Sequence, residues 1–267
     1  IICIVLAVFL VTAIFGMADM FIRGQILQAQ QEKGNWHIGI RNISDEDANL
    51  IASRPDVAAA ADYAVLNYRG EQSCTLSGKN VVICGSDESA VTEIFTSLDI
   101  GTFPANENEA LVTNNAKNRL NLEIGEQIVI TMPNGNEISY TVSGFINNTA
   151  GLMSKDSYGV CLTTESFRAI YPDDTNSNPA DYTMRLLKFK STRNIQSNIA
   201  VIKQQFGLSD EQVSENTALL GLLGQSRNSF MLQVYAVAVI LFILVLVAGV
   251  LMITSSMNSN VAQRTEF

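Results

Sequence analysis

Two long apolar segments lie near the ends of the chain, and almost all of its charged residues lie between them. Residues 1–18 carry no charge before Asp19, and residues 230–253 contain only Gln233 and Tyr235 as polar interruptions. An uncharged apolar segment of about 18 or more residues is long enough to cross the hydrocarbon core of a bilayer as a helix. The pattern therefore predicts two transmembrane helices that hold a domain of about 200 residues at one side of a membrane.

The first apolar segment continues into a more polar helical pattern. Apolar residues recur near helical spacing from Ile22 to Ala29, and Gly34 follows them as a residue type that commonly ends helices. We therefore expect the membrane helix to continue outward as a stalk over residues 23–34. A leucine-rich helix beginning near Ala218 is expected to lead into the second span.

The polar region begins with the pattern of a strand followed by a helix. Residues 36–43 alternate in polarity, which is typical of a strand with one buried face. Ser44 is a favourable helix N-cap, and the carboxylates of residues 45–47 fall in the first turn, where the helix dipole favours them. The next expected elements are a strand over residues 57–68 and a hairpin with arms at residues 74–76 and 81–84.

Residues 87–165 differ from the segments around them, because short strands alternate with turn residues. Residues 133–136, Pro-Asn-Gly-Asn, are a strong turn signal between two apolar strands. This part of the chain therefore predicts a β-rich lobe with one short helix. Its expected strands are residues 109–112, 128–131, 138–145 and 158–162, and its expected helix is residues 114–120.

The order of a strand followed by a helix returns near the end of the polar region. Residues 173–181 are rich in Asp, Asn, Ser and Pro and are expected to form a loop. Residues 182–190 then alternate as a strand, and residues 195–206 place four apolar side chains on one face of a helix that Gly207 ends. Two such units around one sheet predict a split, ferredoxin-like α+β lobe.

These elements predict an α+β fold in which two transmembrane helices bracket a ferredoxin-like lobe with a β-rich lobe inserted between its halves. The expected boundaries are transmembrane helix 1–22, stalk 23–34, first half of the α+β lobe 35–86, inserted lobe 87–165, second half 166–217, stalk 218–229, transmembrane helix 230–255 and a polar turn 256–267.

The charge distribution limits the class of partner. The net charge is −9, and all but one of the Lys and Arg residues lie between Arg23 and Arg227 without forming a basic run. Nucleic-acid binding needs clustered cations to neutralise phosphates. We therefore expect the lipid bilayer as a partner and no nucleic acid.

Four cysteines are spread along the chain, and no pair has the CxxC spacing of a zinc site or a thioredoxin-type motif. Cys3 lies in the first apolar segment. Cys74 and Cys84 flank a turn and would face each other across a hairpin, either as free thiols or as a disulfide. A disulfide would indicate that this region lies in an oxidising exterior.

No catalytic constellation is present in the sequence. His37 is the only histidine, and because it alternates with Trp36 and Ile38 we expect it to face solvent. No phosphate-binding loop, nucleophile motif or metal-ligand spacing occurs, and residues 45–47 are read as a helix start rather than a calcium site. We therefore predict no enzyme activity, no cofactor and no metal. The apolar segments carry no charged residue that would build an ion path.

The two ends of the chain read as parts of a longer protein. Ile1 opens directly in apolar sequence without an initiator Met or a basic flank, and Phe267 is not followed by a terminating signal. A cleaved signal peptide is the alternative for the first segment, although such a peptide has a charged start and a shorter apolar stretch.

Three segments in this order resemble the FtsX-like and MacB-like permeases of ATP-binding cassette (ABC) systems. The first comprises residues 108–112, 116–122 and 124–128, which hold a Glu-containing strand, a short helix and a Gly-Glu-Gln turn. The second is the Thr-Val-Ser-Gly-Phe strand within residues 140–145. The third is residues 256–267, which follow the second span and end in Arg-Thr-Glu-Phe.

The resemblance implies a permease subunit that dimerises with itself or with another permease and works with a cytoplasmic ABC ATPase. Residues 23–229 would be extracytoplasmic, in a multi-pass protein of the plasma membrane with two further spans. Arg264, Glu266 and Phe267 would lie near the ATPase and couple its movement to the spans. The family handles lipoproteins, peptides or antibiotics, toxins, or a cell-wall hydrolase that is activated rather than moved.

Two other classes of protein remain open at this point. A two-span membrane sensor or receptor with an extracellular ligand-binding domain has the same arrangement of spans, and the residues after Phe267 would distinguish it from a permease. A membrane-anchored enzyme is a third class, and the missing catalytic residues weigh against it.

Overall fold

The computed structural model describes residues 2–67, 73–147, 152, 157–170, 183–227 and 229–265. The expected loop at residues 173–181 lies outside them. Contacts divide the chain into a helical unit, Ile1–Leu27 with Gly221–Phe267, and a mixed α/β unit, Gln28–Leu220. The two units are described separately below.

The described residues form seven α-helices and eleven strands. The helices are α1 (Ile2–Lys33), α2 (Asp45–Ala52), α3 (Asn114–Leu120), α4 (Thr164–Ile170), α5 (Ile195–Phe206), α6 (Thr217–Leu222) and α7 (Ser229–Thr265). The strands are β1 (Ile38–Arg41), β2 (Val57–Leu66), β3 (Thr75–Leu76), β4 (Lys79–Ser86), β5 (Leu98–Gly101), β6 (Glu109–Thr113), β7 (Gln127–Thr131), β8 (Glu137–Ile146), β9 (Tyr158–Thr163), β10 (Met184–Phe189) and β11 (Val213–Glu215). One π-helical turn spans Ala90–Ile94.

The helical unit contains one described segment that is long and apolar enough to cross a membrane. This segment is Tyr235–Ser255 of α7, with 21 residues, a mean hydropathy of 3.3 and no burial within the protein. The rings of Phe15 in α1 and Phe242 in α7 lie 5.5 Å apart between centroids. The two long helices of this unit therefore contact each other through aromatic side chains.

Two expectations about the second long helix were wrong. Residues 256–267 were expected to form a turn, but α7 continues without interruption to Thr265. The helix near Ala218 was expected to feed into the span, but α6 ends at Leu222 and Gly224 then adopts φ +69°. A left-handed glycine ends a helix because it has no Cβ to clash with the backbone.

The polar end of α1 stops where the sequence indicates. Gly34 has φ +87°, and its N–H donates to the carbonyl of Gln30 at 2.9 Å. An added Cβ at Gly34 would lie 2.6 Å from Cε1 of the Phe95 ring. Both the positive φ and the close packing require glycine at this position.

The strands of the α/β unit form one sheet rather than two separate lobes. Its order is β11-β1-β10-β2-β4-β3-β7-β8-β6-β9, with β5 added on β8 and a further parallel pairing between β4 and β9. The β4–β9 pairing closes the strands β4-β3-β7-β8-β6-β9 into a ring. The expected boundary at residue 87 therefore cuts through a continuous structure, because the ring includes β3 and β4.

The other end of the sheet is open and antiparallel. The units β1-α2-β2 and β10-α5-β11 interleave in the order β11-β1-β10-β2, which is the strand order of a split βαβ arrangement. The hydroxyl of Ser44 caps α2 by accepting from the N–H of Asp47 at 3.1 Å. Gly207 ends α5 with φ +63°.

Alternation along the ring strands separates two apolar clusters. One set of positions packs inside the ring and includes Val81, Ile83, Val112, Ile130 and Val160. The neighbouring positions, such as Val82, Cys84, Leu111 and Cys161, pack in a second cluster with Val91 and Ile146. Because both faces of β4 and β9 are covered, these strands carry continuous runs without a charged residue, residues 81–85 in β4 and residues 158–162 in β9.

His37 is buried, so the expectation that it faces solvent was wrong. Its side chain is 2% exposed, and its Nδ1 accepts a hydrogen bond from the N–H of Phe189 at 2.9 Å. The two rings stack with centroids 5.8 Å apart. Alternation did not predict the burial of His37, because it separates a covered face from an exposed one and both faces of the sheet are covered around β1.

Replacement of Gly144 by Ala should destabilise the fold. A Cβ at this position of β8 would lie 2.5 Å from the carbonyl oxygen of Ile100 and 3.0 Å from Cδ2 of Leu111. Since the first of these atoms belongs to the backbone of β5, the strand would have to move. We expect Gly144→Ala to lower the free energy of unfolding by about 1–3 kcal/mol.

The measurement is chemical unfolding of the detergent-solubilised chain, followed by the fluorescence of Trp36, the only tryptophan. Ser139→Ala on the same strand is the control, because Ser139 is exposed and such changes stay within about 0.5 kcal/mol. Equal stability of the two variants would contradict the packing described for Gly144.

The burial of His37 should make stability fall in acid. Burial, with a smaller contribution from the charge of Lys188, lowers the pKa of His37 from 6.5 to about 4. The neutral ring is therefore favoured in the folded state. The contribution of this pKa shift to the free energy of unfolding is complete above pH 6.5 and is lost as the pH falls towards 4. Its total is about 3 kcal/mol.

The variant His37→Asn isolates this effect, because its amide oxygen keeps an acceptor near Nδ1 but does not titrate. We expect the difference in unfolding free energy between the parent chain and the variant to shrink by about 1.4 kcal/mol per pH unit between pH 6.5 and 4. Parallel pH profiles for the two proteins would show that His37 is not held neutral.

Candidate functional site

Three of the concave surfaces formed by described residues of the α/β unit differ in their chemistry. The aromatic groove is lined by Lys33, Trp36, Tyr63, Val65, Phe95, Met184, Leu186 and residues 215–218. The amide pocket is lined by Gln31, Phe95, Thr96, Ser97, Asn114, Asn115, Asn118 and Asn147. The acidic cleft includes Asp45, Asp62, Asp87, Glu88, Arg168 and Arg185.

The aromatic groove lies on the face of the open sheet that carries alternate residues of β2 and β10. Tyr63 and Val65 project from β2, and Met184 and Leu186 project from β10, each two residues apart on one strand face. The ring of Phe95 covers the edge of Tyr63, with centroids 5.0 Å apart. The groove has a volume of about 430 Å³.

The polar rim of the groove is fixed by hydrogen bonds. The indole N–H of Trp36 donates to the carbonyl of Lys33 at 2.7 Å. The side-chain amide of Asn216 donates to the carbonyls of Gly34 and Trp36 at 3.1 and 3.0 Å. The groove is thus a preformed apolar surface with a polar edge, which suits an apolar group.

The acidic cleft is occupied by structural contacts. Arg185 pairs with Asp62, with Nε 2.8 Å from Oδ1. The carboxylate of Asp87 accepts from the N–H of Asp62 at 2.9 Å and from the N–H of Ala90 at 3.0 Å. Burial raises the pKa of both carboxyl groups, and Arg185 opposes the rise at Asp62.

These contacts show what the charged residues of the cleft do. Asp87 joins β2 to the start of the π-helical turn. Arg185 on β10 neutralises the carboxylate of Asp62 on the adjacent strand β2. Among the described residues, no group of three or more His, Cys, Asp or Glu side chains is placed to hold a metal ion. The charged residues of the acidic cleft therefore form a structural network of ion pairs and hydrogen bonds.

The amide pocket combines several uncharged polar side chains from different elements. Asn114, Asn115 and Asn118 come from α3, Asn147 follows β8, and Ser97 precedes β5. The amide nitrogen of Asn114 donates to Asn147 at 2.9 Å and to the carboxylate of Asp99 at 3.0 Å. The pocket has a volume of about 610 Å³ and is mainly polar.

Sequence analysis missed both the groove and the pocket. Asn114, Asn115 and Asn118 carry a detectable signal, since residues three and four apart share a helix face. The residues of the groove follow the strand period of two, but only the pairing of β10 with β2 brings them together. Long-range pairing of this kind has no local signal.

The disulfide considered between Cys74 and Cys84 is not formed in the structure. Both thiols are free and buried. Cys74 lies opposite Val81, whose N–H donates to the Cys74 carbonyl at 3.0 Å, and it packs inside the ring. Cys84 packs in the other apolar cluster, beside Cys161, its register partner on β9.

The three residues expected to couple the chain to an ATPase are only partly described. Arg264 lies in the final turn of α7, which ends at Thr265. Glu266 and Phe267 lie outside the described residues. The structure therefore places Arg264 on a helix.

The buried thiols should resist modification in the folded protein. Burial raises the pKa of Cys74 to about 11 and raises that of Cys84 as well, whereas a hydrogen bond with Cys84 lowers the pKa of Cys161. All three thiols are buried, so a reagent cannot reach them in the folded protein. In a Cys3→Ser background, we expect almost no reaction of the native chain with a maleimide at pH 7.

The same variant should titrate three thiols when it is unfolded in denaturant without reductant. Unfolding exposes all three side chains, which provides the internal control for reagent quality. A result of one thiol would demonstrate a disulfide and contradict the register of β3 and β4.

The sequence profile of the MacB-like periplasmic core domain matches residues 1–205. A comparison with curated proteins gives no match.

Two solved structures illustrate the structural similarity. The periplasmic region of MacB from Actinobacillus actinomycetemcomitans is 8% identical, with a TM-score of 0.47 over 73% of this chain and 94% of that chain. The extracellular domain of the noncanonic ABC-type transporter YknZ from Gram-positive bacteria is 13% identical, with a TM-score of 0.45 over 68% of this chain and 99% of that chain. The family profile matches more than half of the length of this chain. The chain therefore belongs to the family of the MacB-like periplasmic core domain, an extracytoplasmic part of ABC transporter permease-type proteins.

Proposed function

We propose that this chain is a permease subunit of an ABC transporter, which couples ATP hydrolysis by a separate cytoplasmic ATPase to movement of its extracytoplasmic domain. The observation that carries the proposal is the family match over residues 1–205, followed along the chain by the apolar helix segment Tyr235–Ser255. A domain of this family next to a span-length helix favours a permease over a two-span sensor.

The proposed membrane arrangement has α1 and α7 as two spans, with residues 23–229 outside the cytoplasm. In this arrangement the chain is a multi-pass protein of the plasma membrane, and it dimerises with itself or with another permease. Its own residues supply no ATPase chemistry. The moved molecule belongs to the classes handled by such permeases, which include lipoproteins, peptides and antibiotics, or it is a hydrolase that the domain activates.

The end of α1 supports mechanical coupling, because it is fastened to the domain at several points. The N–H of Asn35 donates to the carbonyl of Ile94 at 2.7 Å. Asn216 holds the carbonyls of Gly34 and Trp36. A displacement of the last turn of α1 would therefore pull on the π-helical turn and on the chain after β11 together, rather than on a free linker.

At the other end, we propose that residues 258–267 face the ATPase and that Arg264, Glu266 and Phe267 transmit its movement. The continuation of α7 to Thr265 supports this proposal, since a helix transmits displacement along its axis better than an irregular turn. Side chains at the C-terminal end of α7 would then move together with the ATPase.

The experiment uses the full protein, co-purified with an ABC ATPase from the same organism and reconstituted in lipid nanodiscs. We expect Arg264→Ala and Glu266→Ala to lower the coupled ATPase rate by about 5-fold or more, which corresponds to a modest coupling free energy. Thermal unfolding of the α/β unit should not change, because both residues lie outside Gln28–Leu220.

Arg193→Ala is the matched control, since Arg193 is an exposed cation of the α/β unit. It should leave the coupled ATPase rate at the parent value. Parent rates in both Arg264→Ala and Glu266→Ala would count against a coupling role for this segment, and failure of any ATPase to associate with the chain would overturn the permease proposal itself.

A further inference from the structure

The amide pocket is built from neutral side chains that both donate and accept hydrogen bonds. Its polar lining consists of one Gln, four Asn, one Ser and one Thr. A side-chain amide offers two donors and an acceptor, and a hydroxyl offers one donor and two acceptor positions. None of the described residues that line the pocket has an ionised side chain, so its chemistry favours an uncharged ligand.

Part of this hydrogen-bonding capacity is already used to shape the pocket. The amide of Asn115 donates to the carbonyl of Ser157 at 2.8 Å and accepts from the hydroxyl of Thr113 at 2.6 Å. Asn114 is held by Asn147 and Asp99. These bonds fix the orientation of α3 relative to the end of β8.

Other polar groups of the pocket are left unused. Ser97 is buried, with 1% of its surface exposed, and its Oγ atom has no hydrogen-bond partner among the described residues. The side chains of Asn118 and Gln31 are exposed at its edge. A buried hydroxyl without a partner destabilises the folded state, so its presence calls for a ligand or another explanation.

We propose that the amide pocket binds a neutral saccharide. Neighbouring hydroxyls of a sugar ring each donate and accept, which matches an array of amides and two hydroxyls with no net charge. The volume of about 610 Å³ lies within the usual range for small-ligand sites. Phe95, at the boundary with the aromatic groove, supplies the apolar part of the lining.

A saccharide fits this surface better than a peptide does. Extended peptides are commonly bound by backbone pairing along a strand edge. Here the available groups are side chains from α1, α3 and the segments that flank β5 and β8. This inference goes beyond the proposed permease function, because it makes no use of ATP coupling or of the membrane helices.

The test is calorimetric titration of the full chain with maltotriose, with N-acetylated chitotriose and with triglycine. The chain is held in lipid nanodiscs, since detergents with sugar headgroups would compete for the pocket. Binding of either saccharide supports the proposal, and binding of chitotriose alone assigns it to acetamido sugars. Binding of neither saccharide, or tighter binding of triglycine, overturns it.

Two variants assign any observed binding to this pocket. We expect Ser97→Ala to weaken saccharide binding by about 3- to 10-fold, the effect of one lost hydrogen bond. The same change should leave the unfolding temperature equal or raise it, because it removes an unsatisfied buried hydroxyl. A purely structural role for Ser97 would lower the unfolding temperature instead.

Asn118→Leu provides a second variant at an exposed position of α3, where the fold does not depend on the side chain. It should weaken saccharide binding by a similar factor. Asn136→Leu, at the exposed tip of the β7–β8 hairpin, is the matched control and should bind as the parent chain does. Parent affinity in both Ser97→Ala and Asn118→Leu would place the binding elsewhere and overturn the proposal.

Discussion

The pairing of β4 on both of its edges is the constraint on which the α/β unit depends. Along one edge, Ile83–Ser86 pair with β2, which attaches the open sheet, and Lys79 and Asn80 pair with β3. Along the other edge, Val81–Ser86 pair in parallel with β9 and close the ring. Every position of β4 from Val81 onward is buried, so both faces and both edges of this strand are removed from water.

This central strand also positions the two surfaces that are available for binding. Asp87 follows β4 directly, and its carboxylate holds the N–H groups of Asp62 and Ala90. The π-helical turn that starts at Ala90 then presents Phe95, which lines both the aromatic groove and the amide pocket, and Ser97 follows it into the pocket. The groove and the pocket are therefore two sides of one turn, anchored by a single carboxylate at the end of a buried strand.

The same features explain how far the sequence could predict the structure. Helix α2 was predictable from Ser44 and α3 from its local pattern, because caps and helical spacing act over a few residues. The ring was not predictable, since β4 and β9 have no alternation and meet across about 75 positions of sequence, beyond any local rule. For the same reason, the sequence suggested that Cys84 faces Cys74, whereas its neighbour in the structure is Cys161. His37 was expected to face solvent, but both faces of the sheet are covered at this point.

The amide pocket and the proposed coupling path place different demands on the fold. Coupling requires the segment from the end of α1 to Trp36 to move as one body with the residues it binds, and the bonds to Ile94 and Asn216 satisfy that demand. Binding in the pocket requires α3 and Ser97 to keep a fixed separation, which the bonds of Asn114 and Asn115 maintain. The two sets of bonds meet at the π-helical turn, because Ile94 accepts from Asn35 while the N–H of Ser97 donates to Val91. A ligand that ordered Ser97 would therefore stabilise the same turn that receives the end of α1.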